Sequence, residues 1–257
     1  MTLTSAQRSL LPDCLLEMGQ LLVEAGAEIS RVEDTLSRVG RAYGAVRTDV
    51  FVITSIISMT LEFPNGDALT ETRRVQADGQ PDFYRVEKLN ALSYECCASP
   101  LPAEELRARL DAIAAGRKPL RQALAGSVLA AGAFAVFFGG TVWDGLASAL
   151  FGACICLLQQ YFGRTQLMTV ARNLLISLLV GLAVGSVTAL IPALNMDKIL
   201  IGDIMLLIPG LAMTNALRNM LTGNTISGVV RLAESLMWAA ALAGGIMVAL
   251  TIVNFIR

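Results

Sequence analysis

Residues 206–228 read LLIPGLAMTNALRNMLTGNTISG, and the way this stretch is read decides the fold. It starts inside an apolar run, breaks at Pro209-Gly210 and continues into a segment carrying Thr214, Asn215, Arg218, Asn219, Asn224 and Thr225. Proline removes a backbone donor and clashes with the preceding turn, so a helix through Pro209 is expected to kink or unwind there. In a bilayer the carbonyls freed by such a break must be satisfied by protein or by a water-lined cavity, which makes it a candidate solute or ion site. A plain structural kink followed by a polar loop is the alternative.

Working outward, the composition is that of a membrane protein. Hydrophobic residues make up 54% of the 257-residue chain, and the mean hydropathy is +0.60, far from the soluble average. The charges crowd into residues 1–118, which hold 13 Lys and Arg against 17 Asp and Glu. That acidic balance offers no basic patch for nucleic acid. Five cysteines form no C-x-x-C pair, and an odd number argues against a complete disulfide framework, so buried thiols are expected. The chain has no histidine, which excludes His-based triads, His-ligated metal and His proton relays. No cofactor is called for, and residues 1–19 lack the long apolar core of a signal peptide.

Hydrophobic periodicity predicts helices over about 6–26 and 28–43, the second stopped by Gly44. Three β-branched runs follow, VRTDVFVIT, SIISMTLEF and ALTETRRV, with PNGD at 64–67 supplying a hairpin turn between the last two. Helices over about 83–97 and 103–116 complete an α+β domain spanning residues 1–118. Residues 119–257 read as five transmembrane helices, at about 121–140, 144–163, 170–192, 199–217 and 230–255. Arg107, Arg109, Arg117, Lys118 and Arg121 precede the first span, Arg164 and Arg172 separate the second from the third, and Arg218 and Arg231 flank the fourth loop. The opposite loops carry Lys198, with Arg257 at the tail. By the positive-inside rule the α+β domain is cytoplasmic and the C-terminus outside.

Asp203, a few residues into the fourth span, is a candidate to carry a coupling proton or pair with a cation; an interfacial aspartate facing outside water is the other reading. Arg231 and Glu234 are three apart on the fifth helix and form either an intrahelical pair at the cytoplasmic entrance or a gate. Pro209, Gly210, Thr214, Asn215, Arg218, Asn219 and Asn224 are the candidate binding set. Their amides and hydroxyl suit a small zwitterion or carboxylate, with Arg218 meeting the anionic end. A solvated loop is the competing reading. Glu28, Arg31, Glu33 and Asp34 read as a charged helix face, and Gly126, Gly132, Gly139, Gly181 and Gly185 as points of close helix packing.

The segments EAGAEISRVEDTLSRVGRAYG (24–44), LTETRRV (69–75) and IPGLAMTNALRNMLTGNTISGVVRLAE (208–234), together with the five spans, resemble the threonine/serine exporter (ThrE) family. The likeness extends over nearly the whole chain and over the first half of the longer fused members. It implies the larger subunit of the split two-component form, whose partner is a small separate membrane protein of the same family. The resemblance associates that form with succinate export and the fused form with export of threonine and serine. One departure is Asn219, where the family commonly has Asp; a neutral amide cannot titrate.

These readings combine into a multi-pass subunit of an inner-membrane efflux transporter, with self-association also expected. Export is expected to be driven by an ion gradient, since no G-x-x-x-x-G-K-[ST] nucleotide loop is present. An odd number of spans suggests that a partner of similar fold enters the membrane inverted. The rivals are a membrane-tethered hydrolase using the soluble domain and a regulatory or assembly module. The first lacks a G-x-S-x-G elbow and a histidine base beside Ser55, Ser58 or Thr60.

Overall fold

In the computed structural model, residues 5–76, 81–116, 119–163 and 167–256 are described. Arg117, Lys118, Arg164 and Arg257, which carry part of the topology argument, lie outside them. The chain divides into two compact units: Met1–Arg117 with Gly210–Ala233, and Lys118–Pro209 with Glu234–Arg257.

The first unit opens with α1 (Ser5–Glu24) and α2 (Ile29–Ala42). Ile29, Val32, Leu36 and Val39 recur at helical spacing on α2 and are fully buried, against α1 residues such as Leu15, Met18 and Leu22. Three antiparallel strands follow, β1 (Arg47–Ile53), β2 (Ile56–Glu62) and β3 (Ala68–Arg74), in the order β1-β2-β3. The central strand pairs Met59 with Val50 and Glu71, and Leu61 with Thr48 and Leu69. Alternation sends Ile57, Met59 and Leu61 into the core. Ser58 and Thr60 take the other face, bonding Thr72 and Thr70 across the strands. Helices α3 (Phe83–Ala98) and α4 (Ala103–Ala115) close this core with Leu89, Leu92, Leu106 and Leu110. Asp13 on α1 pairs with both Arg73 of β3 and Arg107 of α4, and Arg107 also lies 2.9 Å from Glu17.

The second unit holds α5 (Leu120–Phe137), α6 (Val142–Phe162), α7 (Thr169–Leu190) and α8 (Met196–Ile204). The greater part of α10 (Thr225–Ile256) also belongs to it, while α9 (Gly210–Leu221) belongs to the first unit. Small residues set the helix spacing: Gly132 faces the Gly145 carbonyl, Gly181 faces Ala249 and Gly185 faces Val253. Of the other two glycines assigned to packing, Gly126 looks into open space and Gly139 sits past the end of α5 at a φ of 88°.

Among the described residues, four helices are long and apolar enough to cross a membrane: Leu120–Phe137, Val142–Phe162, Thr169–Leu190 and Thr225–Phe255. The fourth expected span, 199–217, is not one helix. It is divided between α8, of 9 residues, and α9, of 12, with residues 205–209 non-helical between them. The break falls at Pro209, where the missing N–H and the ring's clash with the preceding turn stop a helix from continuing.

Candidate functional site

In the first unit, α9 begins directly after Pro209 and displays two faces. Ala212, Ala216 and Asn219 are buried and Asn215 half-buried, whereas Leu211, Thr214, Leu217, Arg218 and Leu221 are exposed. The candidate polar set is therefore divided. Thr214 turns outward and returns its hydroxyl to the Gly210 carbonyl at 2.9 Å. Asn224 donates its backbone N–H to the Asn219 carbonyl at 2.8 Å and so closes the turn into α10.

Three side chains of this α9–α10 hairpin reach the turn between α1 and α2. Asn215 Nδ2 donates to Gly26 O at 3.4 Å, Arg231 donates to Val23 O at 3.2 Å, and Arg218 Nε lies 3.4 Å from Glu28 Oε2. The last carbonyls of a helix lack intrahelical partners, and donors from outside supply them. Gly26 adopts a φ of 81°, a conformation open to glycine without strain. Glu28 of the expected charged face thus faces Arg218, and Glu33 turns inward to accept the Val52 backbone N–H at 3.1 Å. Arg231 is buried and Glu234 half-buried.

Asn219 is fully buried, and neither its amide nitrogen nor its amide oxygen has a partner among the described residues. Leaving such groups unpaired costs roughly 1–3 kcal/mol each. A side chain that presents a donor and an acceptor together matches a ligand or water offering the complementary pair.

The second unit holds a different polar arrangement, along the contact between α6 and α8. Thr141 and Asp144 form a reciprocal capping box at the start of α6. Asp144 also receives the Asn195 backbone N–H at 2.7 Å and the Asn195 side-chain amide at 2.9 Å. One turn further along α6, the Ser148 hydroxyl lies 2.9 Å from Asp203 Oδ1 and 3.0 Å from Ala131 O of α5. Asp203 is fully buried, and its second oxygen has no partner among the described residues. Nearby, Ile204 and Ile208 border an apolar groove of about 570 Å³ with Leu242, Ile246 and Leu250 of α10.

The cysteines are all free. Burial pushes the Cys14 thiol up to about 11 and raises Cys96, so both stay protonated and serve the core.

The family profile described as "Putative threonine/serine exporter" matches residues 13–253. The chain belongs to the threonine/serine exporter family. It is a multi-pass membrane protein of a transporter family, and over 254 residues it is 24% identical to the "Probable succinate transporter subunit YjjP" of Klebsiella aerogenes. That alignment takes in 96% of this chain and 95% of the relative. No solved structure gives a significant match.

Within this exporter, sequence reasoning missed Ser148 and Asn195. The capping spacing of Thr141 and Asp144 was a usable signal for the start of α6. No local pattern announces that Asn195, 51 residues away, completes the shell of Asp144, or that Ser148 meets Asp203 across 55 residues.

Proposed function

We propose that this exporter is the larger subunit of a two-component efflux system in the cell inner membrane, moving a small hydroxy-amino acid or dicarboxylate out of the cytoplasm. Its α+β domain, residues 1–118, stands on the cytoplasmic side with α9 packed against it; residues 119–257 cross five times, the fourth crossing being made by α8 and the segment leading to Pro209, and the C-terminus is outside. The Arg and Lys asymmetry supports this orientation. The partner is a small membrane protein of the same family, entering the membrane inverted, and the chain also self-associates.

One observation carries the site assignment: directly after the helix break, α9 buries an amide, Asn219, with both polar atoms unpaired among the described residues. A broken helix that exposes polar groups to a cavity is a recurrent way for transporters to build a binding site. Asn219 and Asn215 orient the solute. Arg218, which holds Glu28 in the structure, offers its planar fork to a solute carboxylate in exchange. Pro209 and Gly210 keep the break open, and Thr214 and Asn224 fix the ends of α9. Arg231 and Glu234 line the cytoplasmic entrance. An ion gradient drives export.

The test is efflux of labelled serine, threonine and succinate from vesicles containing this protein with and without the small partner. For the solute that moves, Asn219→Ala is expected to raise half-saturation by about tenfold, equivalent to about 1.4 kcal/mol. Arg218→Lys is expected to raise it also, because a point charge cannot replace a bidentate fork. Wild-type half-saturation in both variants, at matched membrane abundance, removes α9 from the site.

A further inference from the structure

The contacts around Asp203 contain a constraint on hydrogen atoms. Ser148 Oγ lies within hydrogen-bond distance of two oxygens at once, Ala131 O at 3.0 Å and Asp203 Oδ1 at 2.9 Å. A serine hydroxyl has one hydrogen, and a backbone carbonyl only accepts. Both contacts are hydrogen bonds together only when the proton between Ser148 and Asp203 comes from Asp203. The series then runs from the Asp203 carboxyl to Ser148 Oγ, and from the Ser148 hydroxyl to Ala131 O. An ionised Asp203 brings no hydrogen, so Ser148 must turn to donate to Oδ1 and abandon Ala131.

We propose that Asp203, Ser148 and Ala131 O form a proton-operated latch between α8, α6 and α5, with Asp203 as the carrier of the proton and Ser148 as the hydroxyl that transmits its state. When the Asp203 O–H bond breaks, its proton passes to water. The Ser148 O–H gives up its bond to Ala131 O and donates to the new carboxylate; no other bond changes. Ala131 O keeps its bond within α5, so release of the latch leaves no orphaned carbonyl there.

The surroundings favour a proton over a metal cation as the cargo. Asp203 has one side-chain partner, a hydroxyl, and no cluster of three or more metal-ligating side chains occurs among the described residues. The charged groups on the elements packed against it are otherwise engaged or remote. On α6, Asp144 is held by Thr141 and Asn195. On α8, Lys198 donates to Phe138 O and Asp197 is exposed. Arg121 of α5 lies ten residues along from Ala131, about 15 Å of helix, and Arg172 of α7 reaches Thr169. None of them is bonded to Asp203.

Gly202 ties the latch to the backbone. A Cβ there would sit 2.5 Å from Ser148 Oγ, 2.6 Å from Ala131 O and 2.9 Å from the Ala135 side chain. The backbone of α8 is therefore pressed onto the two oxygens between which the hydroxyl must choose. Two residues later α8 ends and the turns of the break begin. Reorientation of Ser148 thus acts directly beside the end of α8 and the start of the break.

The latch rests on the reading of the chain as a gradient-driven exporter, and its test separates the two. Infrared difference spectra of the full-length protein in vesicles, recorded as pH is raised, read Asp203 without any transport. Wild type is expected to lose a carboxylic C=O band that Asp203→Asn lacks and Asp203→Glu displaces. Ser148→Ala is expected to move that band and its pH midpoint, and Ser148→Thr to restore both. The same difference spectrum in Asp203→Asn and wild type, or in Ser148→Ala and wild type, overturns the latch. In efflux assays with the partner present, Asp203→Asn is expected to keep solute exchange and lose at least about tenfold of the acceleration given by a pH gradient. Undiminished acceleration in that variant overturns the coupling role and leaves the exporter standing. Spectra as expected from a wild-type protein that exports none of the three solutes would sink the exporter reading and keep the proton site.

Discussion

Two carboxylates are fully buried where α6 meets α8, one near each end of α8, and they are served very differently. Asp144 accepts from the Thr141 backbone N–H at 2.8 Å, the Thr141 hydroxyl at 2.9 Å, and the backbone and side-chain nitrogens of Asn195. Asp203, eight residues beyond Asn195, is in reach of one hydroxyl and has an oxygen with no partner among the described residues. Both side chains are closed to solvent, but Thr141 and Asn195, the partners of Asp144, are exposed, and the number of donors differs. A carboxylate with its lone pairs filled is held as a fixed charge, and removing it leaves donors orphaned. One with a single donor is costly to keep ionised, so it can give up and regain a proton without dismantling a network. In the proposed latch, the first is a pin and the second the moving part.

The largest expected effect is on that pin. Asp144→Ala strips acceptors from two backbone N–H groups and the Asn195 amide; with Thr141 and Asn195 themselves exposed, the expected cost is about 3 kcal/mol. It should appear as a large fall in apparent melting temperature of the full chain in detergent. Asp203→Asn removes one bond to a hydroxyl and should cost about 1 kcal/mol or less. Equal falls in the two variants would erase the contrast.

A middle-sized effect belongs to Gly202→Ala. The added methyl meets Ser148 Oγ and Ala131 O well inside contact distance, so α8 must lift from α5 at an expected cost of about 1–3 kcal/mol. Denaturation of the same preparation measures it. Wild-type stability would show that the contact at the Asp203 end is loose, and that the hydroxyl is not clamped between two oxygens.

The smallest effect extends the comparison to the other unit. Glu33 is a half-buried carboxylate with one backbone donor, Val52 N–H, and burial raises its pKa above the ordinary 4.5 while that hydrogen bond pulls the other way. A raised folded-state pKa means that its contribution to stability is fully present below 4.5 and is lost as pH rises through the folded value. Glu33→Gln keeps the acceptor and removes the titration. Its apparent melting temperature should therefore fall less than that of wild type as pH rises through this window. Parallel curves would show that Glu33 ionises in the folded domain as freely as in the unfolded chain. The shift is expected to be slight, because solvent screens a group of this exposure.

Much of the architecture was legible without coordinates. The alternation in SIISMTLEF, the Asn-Gly turn and the stop at Gly44 mark local choices that tertiary packing had no reason to override, and the elements fall within a few residues of their expected ends. The break at Pro209 was legible for the same reason, since a missing N–H is a property of the residue itself. Its consequence was less so: the non-helical residues 205–209 divide the expected span into two short helices, one in each compact unit.

The candidate site was half legible. A polar run after the break announced Thr214, Asn215, Arg218 and Asn219 together, but a run has no inside or outside until the helix packs. Packing turned Asn219 inward and Thr214 outward, five positions and so about 140° apart around the helix.

Composition and periodicity by themselves determined that this chain enters a membrane and where most of its helices and strands lie, because hydropathy and backbone preference accumulate along neighbouring residues. The tertiary structure alone decided that Arg231 reaches a carbonyl 208 residues away, that Asp144 is satisfied and that Asp203 is not. A hydrogen-bond partner is supplied by whichever helix packs alongside, and the spacing of residues along the chain carries no record of that choice.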